Sequence, residues 1–210
     1  MKFLSFVPKH SLYILAIVSV AIFSCNNDSS NTTTTDTTTV TADTSHASMP
    51  MPDTAAVPMV AHAEAILSGT EPDTIVNGSL KFDADSSSGK VKMVLEITVP
   101  VRAGKSVAVH IHEHGDCGDM GKMAHGHWNP TNAQHGKWGS ANFHSGDIGN
   151  IKLDGKGKGK LTLSTDLWTL GGKPDKSILG KSIIVHSGED DYTTQPSGNS
   201  GSRIGCGVIH

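Results

Sequence analysis

The histidines of this chain are concentrated in one segment. The chain has 12 histidines, and seven of them fall within residues 110–144, where an even distribution would place two. These seven are His110, His112, His114, His125, His127, His135 and His144. Imidazole nitrogens are ligands that both zinc and copper accept. The concentration therefore predicts a metal-binding site in this part of the chain.

Two of these histidines form a pair with strand spacing. His110 and His112 end a run, residues 106–113 (SVAVHIHE), in which polar and apolar residues alternate. Residues two apart on a strand point to the same face, so both imidazoles could bind one metal. The alternative is a pair that faces solvent. His186 ends another strand-like run, residues 182–186 (SIIVH), and is either a buried core histidine or a further ligand that a closed β fold brings back to this pair.

A second set of metal-ligand residues lies in a stretch without strand pattern. Three histidines and one carboxylate in this stretch make a four-coordinate nitrogen and oxygen shell, which suits zinc. The four residues are His127, His135, His144 and Asp147. A loop so poor in apolar residues needs an internal ligand to organise it, and a zinc ion would do so.

The elements that must position these residues are short strands. Strand-like runs separated by Gly, Asp and Asn turns cover residues 61–67, 78–84, 90–99, 106–113, 149–153, 158–164 and 182–186. No stretch shows a helical stripe of several turns. The pattern predicts an all-β fold, a Greek-key antiparallel sandwich or flattened barrel. Two long segments lack strand signal, residues 115–146 and 187–201, and loops of this length are usually functional.

The first 60 residues differ in character from the rest. Residues 1–24 combine Lys2 and Lys9 with an apolar run that is too short to span a bilayer, which predicts a signal peptide. Cys25 follows directly, and this junction resembles a bacterial lipoprotein box, in which the thiol carries lipid. The alternative is an ordinary signal peptide that happens to contain a cysteine. Residues 25–60 are rich in Thr, Ser, Asp and Pro and predict a disordered linker to a domain at 61–210.

The charge argues against nucleic-acid binding, and the cysteine content bears on a possible disulfide. The formal net charge is −3, and no basic stripe of the kind that binds nucleic acid is present in the sequence. The chain has three cysteines. If Cys25 is acylated, Cys117 and Cys206 remain as one possible pair, and an exported compartment permits a disulfide.

Separate motifs carry a resemblance to a known family. Residues 109–117 (VHIHEHGDC) resemble the copper-binding strand of copper/zinc superoxide dismutases, and residues 126–130 (GHWNP) resemble their bridging-histidine motif. Residues 135–136 and 142–150 (NFHSGDIGN) resemble the zinc loop of the family. The pair 185–186 and residues 201–209 (GSRIGCGVI) resemble its closing motifs. These motifs occur in the family's order across residues 61–210.

The resemblance implies a role for each matching residue. It implies four copper ligands, which are His110, His112, His127 and His186. It implies four zinc ligands, which are His127, His135, His144 and Asp147, so that His127 bridges the two metals as an imidazolate. Asp190 would connect copper and zinc histidines by hydrogen bonds, Cys117 and Cys206 would form a disulfide, and Arg203 would be the active-site arginine. His114 and His125 lie inside the loop but outside this pattern, and we expect both to be non-ligands.

The resemblance also implies an activity, the dismutation of superoxide to oxygen and hydrogen peroxide with one copper and one zinc per subunit. His127 would carry a proton between the two half-reactions and would be catalytic together with Arg203. We expect the enzyme to protect the bacterial cell envelope, held to a membrane through Cys25, as a monomer or a homodimer. The alternative is a non-catalytic lipoprotein that stores or delivers copper and zinc. Such a protein should lack a copper ligand or Arg203, and neither is missing.

Overall fold

The structure is a computed structural model that describes residues 57–210. The expected signal peptide, Cys25 and nearly all of the expected linker lie outside the described residues. The described part is built from eight antiparallel strands in one sheet. They are β1 (His62–Gly69), β2 (Asn77–Asp85), β3 (Lys90–Thr98), β4 (Ser106–His112), β5 (Gly149–Lys152), β6 (Lys158–Thr165), β7 (Ser182–His186) and β8 (Arg203–Val208).

The strand order explains how the sheet becomes a barrel. The order is β5-β4-β7-β8-β1-β2-β3-β6. The two outermost strands, β5 and β6, are consecutive in the chain and lie side by side. A Cβ on Gly159 in β6 would lie 2.8 Å from side-chain atoms of Ile151 and Leu153, so the absence of a side chain lets β6 approach β5. The predicted flattened barrel of antiparallel strands is confirmed.

Alternation along the strands produces the core. Strand β3 (KVKMVLEIT) buries Val91, Met93, Leu95 and Ile97 and exposes Lys90, Lys92 and Glu96. Period-two alternation places one apolar set on one face of a strand, and here that face is the barrel interior. Burying each such side chain contributes roughly 1.5–3 kcal/mol. The seven strands that the alternation predicts are all present, with bounds that differ by a few residues.

Strand β8 is not among the runs that the sequence pattern predicts. Glycines weaken a strand signal, and Gly205 and Gly207 alternate with Cys206 in the middle of β8. The structure shows why they stand there. A Cβ on Gly205 would lie 2.7 Å from Val76, and one on Gly207 would collide with the carbonyl oxygen of Ile66. Close packing of β8 against its neighbours therefore requires the residues that obscure it.

A tryptophan connects the core with the long loop that precedes β5. Trp168 is fully buried and packs edge-on against Phe82, with ring centroids 6.4 Å apart. Its indole Nε1 donates a hydrogen bond to the carbonyl of Ser145, 2.8 Å away. The loop is thereby fixed to the barrel close to His144. Among residues 57–210, no helix is long and apolar enough to cross a membrane.

Candidate metal centre

Strands β4 and β7 provide three of the seven metal-ligand side chains. On β4, Val107, Val109 and Ile111 point into the barrel core. Alternation sends His110 and His112 to the opposite face, which the two long loops cover, so that both are buried. His186 ends β7, the neighbour of β4, and is also buried. The sheet thus brings His186 to the His110–His112 pair, as a closed β fold requires.

The loop between β4 and β5 adds a fourth imidazole because it is fastened to β4. Trp128 N donates to the carbonyl of Ile111 at 2.8 Å, and Ile111 N donates to the carbonyl of Gly146 at 2.9 Å. A Cβ on Gly146 would collide with the Ile111 carbonyl, so this close docking needs a glycine. The docking places His127 beside His112, and one ligand nitrogen from each of four histidines lies within 4.8 Å of the others. The four are His110, His112, His127 and His186.

The hydrogen bonds of these histidines leave one nitrogen of each ring without a partner. Nε2 of His110 lies 3.0 Å from Oδ2 of Asp190, and Nδ1 of His112 lies 2.8 Å from the carbonyl of His125. Nδ1 of His186 faces the carbonyl of Gly201 at 3.4 Å. The buried nitrogens without a partner are His110 Nδ1, His112 Nε2, His127 Nε2 and His186 Nε2. Buried polar atoms normally have partners, so four that converge on one point fit a metal ion that imidazole binds, such as copper.

A second group surrounds the carboxylate of Asp147. Oδ1 of Asp147 lies 2.8 Å from Nδ1 of His127 and 3.2 Å from Nδ1 of His144. Nδ1 of His135 lies 2.9 Å from Oδ2 of Asp147 but outside hydrogen-bond geometry, so this buried nitrogen has no hydrogen-bond partner. The other contacts of Oδ2 are backbone N–H groups of Gly136 and His144. Three imidazoles and one carboxylate oxygen within 4.8 Å fit zinc. His127 belongs to both groups.

One carboxylate joins the two groups from outside. Asp190 lies within 3.0 Å of Nε2 of His110 through Oδ2 and within 2.9 Å of Nε2 of His135 through Oδ1. Asn150 holds it in place, because its side-chain amide donates to the Asp190 carbonyl and accepts from the Asp190 N–H, both at 2.8 Å. Such outer hydrogen bonds fix the tautomer and orientation of ligand imidazoles.

Burial and neighbouring charges set the protonation of these groups. Burial, together with neighbouring histidines, lowers the pKa values of His112 and His186 well below 6.5 and that of His127 to about 4. Burial also disfavours a charged His135, but Asp147 and Asp190 outweigh it and raise the pKa of His135 to about 9. Hydrogen bonds from the histidines keep the pKa of Asp147 below its usual range despite burial. Most of the set is thus neutral imidazole and ionised carboxylate, the forms that bind metals.

An arginine and a disulfide lie beside the group of four histidines, which we call the all-histidine group. Arg203 begins β8 opposite His186, and its guanidinium donates to the carbonyls of Gly121 and His125. It lines a cleft of ≈570 Å³ that reaches the ligand histidines, and among the residues lining this cleft its only charged companion is Glu113. Cys117 and Cys206 form a disulfide across 89 residues of sequence, which confirms the predicted pair. The bond joins the loop that carries Gly121 to the strand that carries Arg203.

Two residues and one backbone carbonyl act on the site without a role in the sequence-based predictions. Gln195 accepts a hydrogen bond from His135 N and donates one to the His135 carbonyl, both at 2.9 Å. Gly198 faces the contact between Asp190 and His135 so closely that a Cβ would overlap the Asp190 carboxylate. The His125 carbonyl accepts from both His112 and Arg203. None carries a local signal, because an amide, a glycine and a carbonyl are recognised as functional only through what the fold places beside them.

Comparison with known proteins agrees with this chemistry. The family model described as copper/zinc superoxide dismutase (SODC) matches residues 76–209. A superoxide dismutase [Cu-Zn] of Yarrowia lipolytica is 36% identical over 156 residues, which cover 70% of this chain and 96% of the relative. Superoxide dismutase [Cu-Zn] 2 of Aquifex aeolicus is 37% identical over 154 residues, covering 71% of this chain and 85% of the relative.

A solved structure shows the same fold. The crystal structure of the clock protein EA4 superposes with a TM-score of 0.62 at 30% identity, covering 72% of this chain and 95% of the other. The predicted family, activity and metals are thereby confirmed, and the storage or delivery alternative is not needed to explain the histidines. The chain belongs to the copper/zinc superoxide dismutase family, and it is an enzyme that converts superoxide to oxygen and hydrogen peroxide with copper and zinc.

Proposed function

We propose that the two side-chain groups divide the metals as the family resemblance implies. The group without carboxylate takes copper, and its members are His110, His112, His127 and His186. The group around the carboxylate takes zinc, and its members are His127, His135, His144 and Asp147. The observation that carries this assignment is the set of four buried, unpartnered nitrogens that converge on one point.

The position of His127 supports a role in proton handling. Its Nδ1 faces Asp147 at 2.8 Å, and its Nε2 faces the all-histidine group. Bound copper supplies the one-electron oxidation of one superoxide and the reduction of another, while bound zinc orders the loop. The second half-reaction consumes two protons. Nε2 of His127 is the atom that can hold one of them, because Nδ1 already faces the Asp147 carboxylate.

Arg203 gives the cleft its fixed positive charge. Its guanidinium is held by the carbonyls of Gly121 and His125 and forms no ion pair with Glu113, the one carboxylate that lines the same cleft. Superoxide is a small anion, and a positive charge in a narrow cleft attracts it. Burial lowers the pKa of Arg203, but an arginine stays protonated at every physiological pH. Arg203 therefore acts as the group that binds and orients the substrate.

We further propose that the enzyme works in the bacterial cell envelope, anchored by lipid on Cys25 and facing the periplasm or the cell surface. The apolar run before Cys25 and the polar linker after it support this location. The disulfide is consistent with it, because such bonds persist in oxidising compartments. Removal of superoxide there would protect envelope components. Homodimer formation stays a prediction, which the native mass of the purified protein will test.

Two experiments test these proposals separately. Residues 26–210, loaded with copper and zinc, should contain one of each metal by elemental analysis and should consume superoxide in pulse radiolysis. Protein that is metal-loaded but inactive would contradict the assignment of Arg203 and the copper group. For the anchor, the full chain should partition into bacterial membranes, and Cys25→Ser should release it. A membrane-bound Cys25→Ser variant would contradict lipid attachment at this residue.

A further inference from the structure

Two histidines outside both metal groups lie at the edge of the cleft. His114 follows β4, and His125 precedes the docked segment of the metal loop. Backbone hydrogen bonds hold the two segments side by side, from Glu113 N to the carbonyl of Gly126 at 3.1 Å and from His114 N to the carbonyl of Ala124 at 3.2 Å. Glu113 and Gly126 line the cleft itself. The pair therefore sits directly beside the route to the all-histidine group.

The two rings are arranged like a pair of ligands. The ring centroids of His114 and His125 are 4.2 Å apart with an interplanar angle of 37°. His110 and His127, which both belong to the all-histidine group, are 4.0 Å apart with an angle of 38°. The spacing and tilt of the exposed pair thus match those of two rings that belong to one ligand group.

Contacts of its backbone keep His125 in this position. Its φ of 61° and ψ of −146° belong to a region that glycine normally occupies. Its carbonyl accepts hydrogen bonds from Nδ1 of His112 and from the guanidinium of Arg203. The main chain is therefore fixed by the catalytic site on one side, and both imidazoles remain exposed to solvent on the other.

The donor atoms available to the His114–His125 pair indicate which metal ion it would bind. Among residues 57–210, no carboxylate or cysteine joins these two imidazoles in a cluster of three or more ligands, whereas a closed zinc site requires four. Cu(I) accepts two nitrogen donors and favours thioethers. Two methionines of the same loop, Met120 and Met123, are each 46% exposed. We propose that His114 and His125 form a third metal site, on the surface, that binds Cu(I) with a thioether of Met120 or Met123 as an additional donor.

The test uses the full chain with copper and zinc loaded and the copper kept as Cu(I) under anaerobic conditions. This state is diamagnetic, so histidine-ring and methionine-methyl signals can be followed by NMR while a Cu(I)–acetonitrile complex is added. A further equivalent of Cu(I) should shift the ring signals of His114 and His125 and the methyl signal of Met120 or Met123. Competition with a Cu(I) chelator then measures the affinity of this equivalent.

Two variants make the result specific. His114→Ala leaves the backbone of His125 untouched, and His125→Gly installs the residue that this backbone favours. Each should lower the affinity for the additional Cu(I) at least tenfold, while substitution of another exposed histidine, His62→Ala, should leave it unchanged. Unshifted rings, or undiminished affinity in both single variants, would overturn the site. Displacement of Cu(I) by an equal concentration of Zn²⁺ would overturn the assignment to copper.

Discussion

The two metal groups share His127 but are built by different means. Three of the four histidines in the copper group lie on β4 and β7, whose register fixes their separation. All four members of the zinc group lie in the loop 127–147, outside any strand. The copper group is thus a consequence of the barrel. The zinc group depends on how the loops hold each other.

The zinc group is held in place by contacts of the two long loops rather than by strand pairing. The loop is tied to the barrel by Trp168 at Ser145 and to β4 at Gly146. The second long loop then closes over His135 through Asp190 and Gln195, each within hydrogen-bonding distance. Loops stabilised by a few side-chain contacts open more readily than paired strands. The comparison therefore predicts that substitutions in the second loop will release zinc while copper stays bound.

The largest effect should come from the residue that the two groups share. His127→Ala removes one ligand from each, so we expect loss of both metals and a decrease in superoxide dismutase activity of more than about 100-fold, beyond the ~10–100-fold typical of outer-shell changes. Elemental analysis and the visible spectrum of bound Cu(II) measure this. The exposed His62→Ala serves as a control. Full zinc content with an unchanged copper spectrum in His127→Ala would show that the groups are independent.

The second prediction uses the addition of one methyl group, Gly198→Ala, to affect the zinc group without affecting the copper group. Gly198→Ala places a Cβ over the Asp190 carboxylate and 2.6 Å from Nε2 of His135, which must push the two apart. Zinc affinity should decrease by roughly 10–100-fold, as when an outer hydrogen bond to a ligand is lost. Copper should remain, because its strand-borne ligands are positioned by the sheet and contact this loop only through Asp190 at His110 and the Gly201 carbonyl at His186.

The control for this variant is Gly139→Ala. Gly139 also has a positive φ, +78° against +65° for Gly198, but a Cβ there meets no atom within 4 Å. It therefore reproduces the backbone strain without the collision. Chelator competition for zinc, with the Cu(II) spectrum recorded on the same samples, distinguishes the two. Equal zinc loss in both variants would mean that strain, and not the contact with His135, explains the effect.

A smaller effect is expected from the copper side. Arg203→Ala removes the charge that we propose binds substrate and one partner of the His125 carbonyl, but no ligand. Activity should fall about tenfold, at the lower end of what charge steering contributes, while zinc affinity should not change. Arg203→Lys restores the charge without the two-pronged donor, so it should recover part of the activity. Loss of zinc in Arg203→Ala would show that the zinc group depends on the copper group, which would contradict the division between a barrel-held and a loop-held metal.

The sequence predicts the strand-borne copper group and the loop-borne zinc group to different extents. The copper pair His110–His112 could be recognised from strand alternation, because spacing of two guarantees a shared face. The zinc residues could be grouped by composition, but the loop path that brings His135 to His144 could not be derived, since no periodicity governs loops. His186 and Arg203 required the barrel closure and the family motifs. Strand β8 could not be predicted from the pattern, because its glycines permit close packing but weaken the strand signal.

The smallest predicted effect concerns the contact that no sequence pattern shows. Gln195 makes two hydrogen bonds to the backbone of His135, each worth a net ~0.5–1.5 kcal/mol. Because Gln195 is exposed, the lower value applies, and Gln195→Ala should weaken zinc binding by about fivefold without affecting copper. Gln195→Glu keeps the acceptor for His135 N but loses the donor to the His135 carbonyl. The zinc affinity of this variant should therefore lie between those of the wild type and Gln195→Ala.

The graded order of wild type, Gln195→Glu and Gln195→Ala separates a positioning role from general loop destabilisation. A loop that merely loosened would respond equally to both substitutions, and it would also expose the copper site to chelators. Zinc competition at constant pH, with hydrogen exchange measured across residues 187–201 and β4, resolves these outcomes. If β4 lost protection along with the loop, the strand-borne copper group would depend on the same loop contacts as zinc. The division between a barrel-held and a loop-held metal would then be wrong.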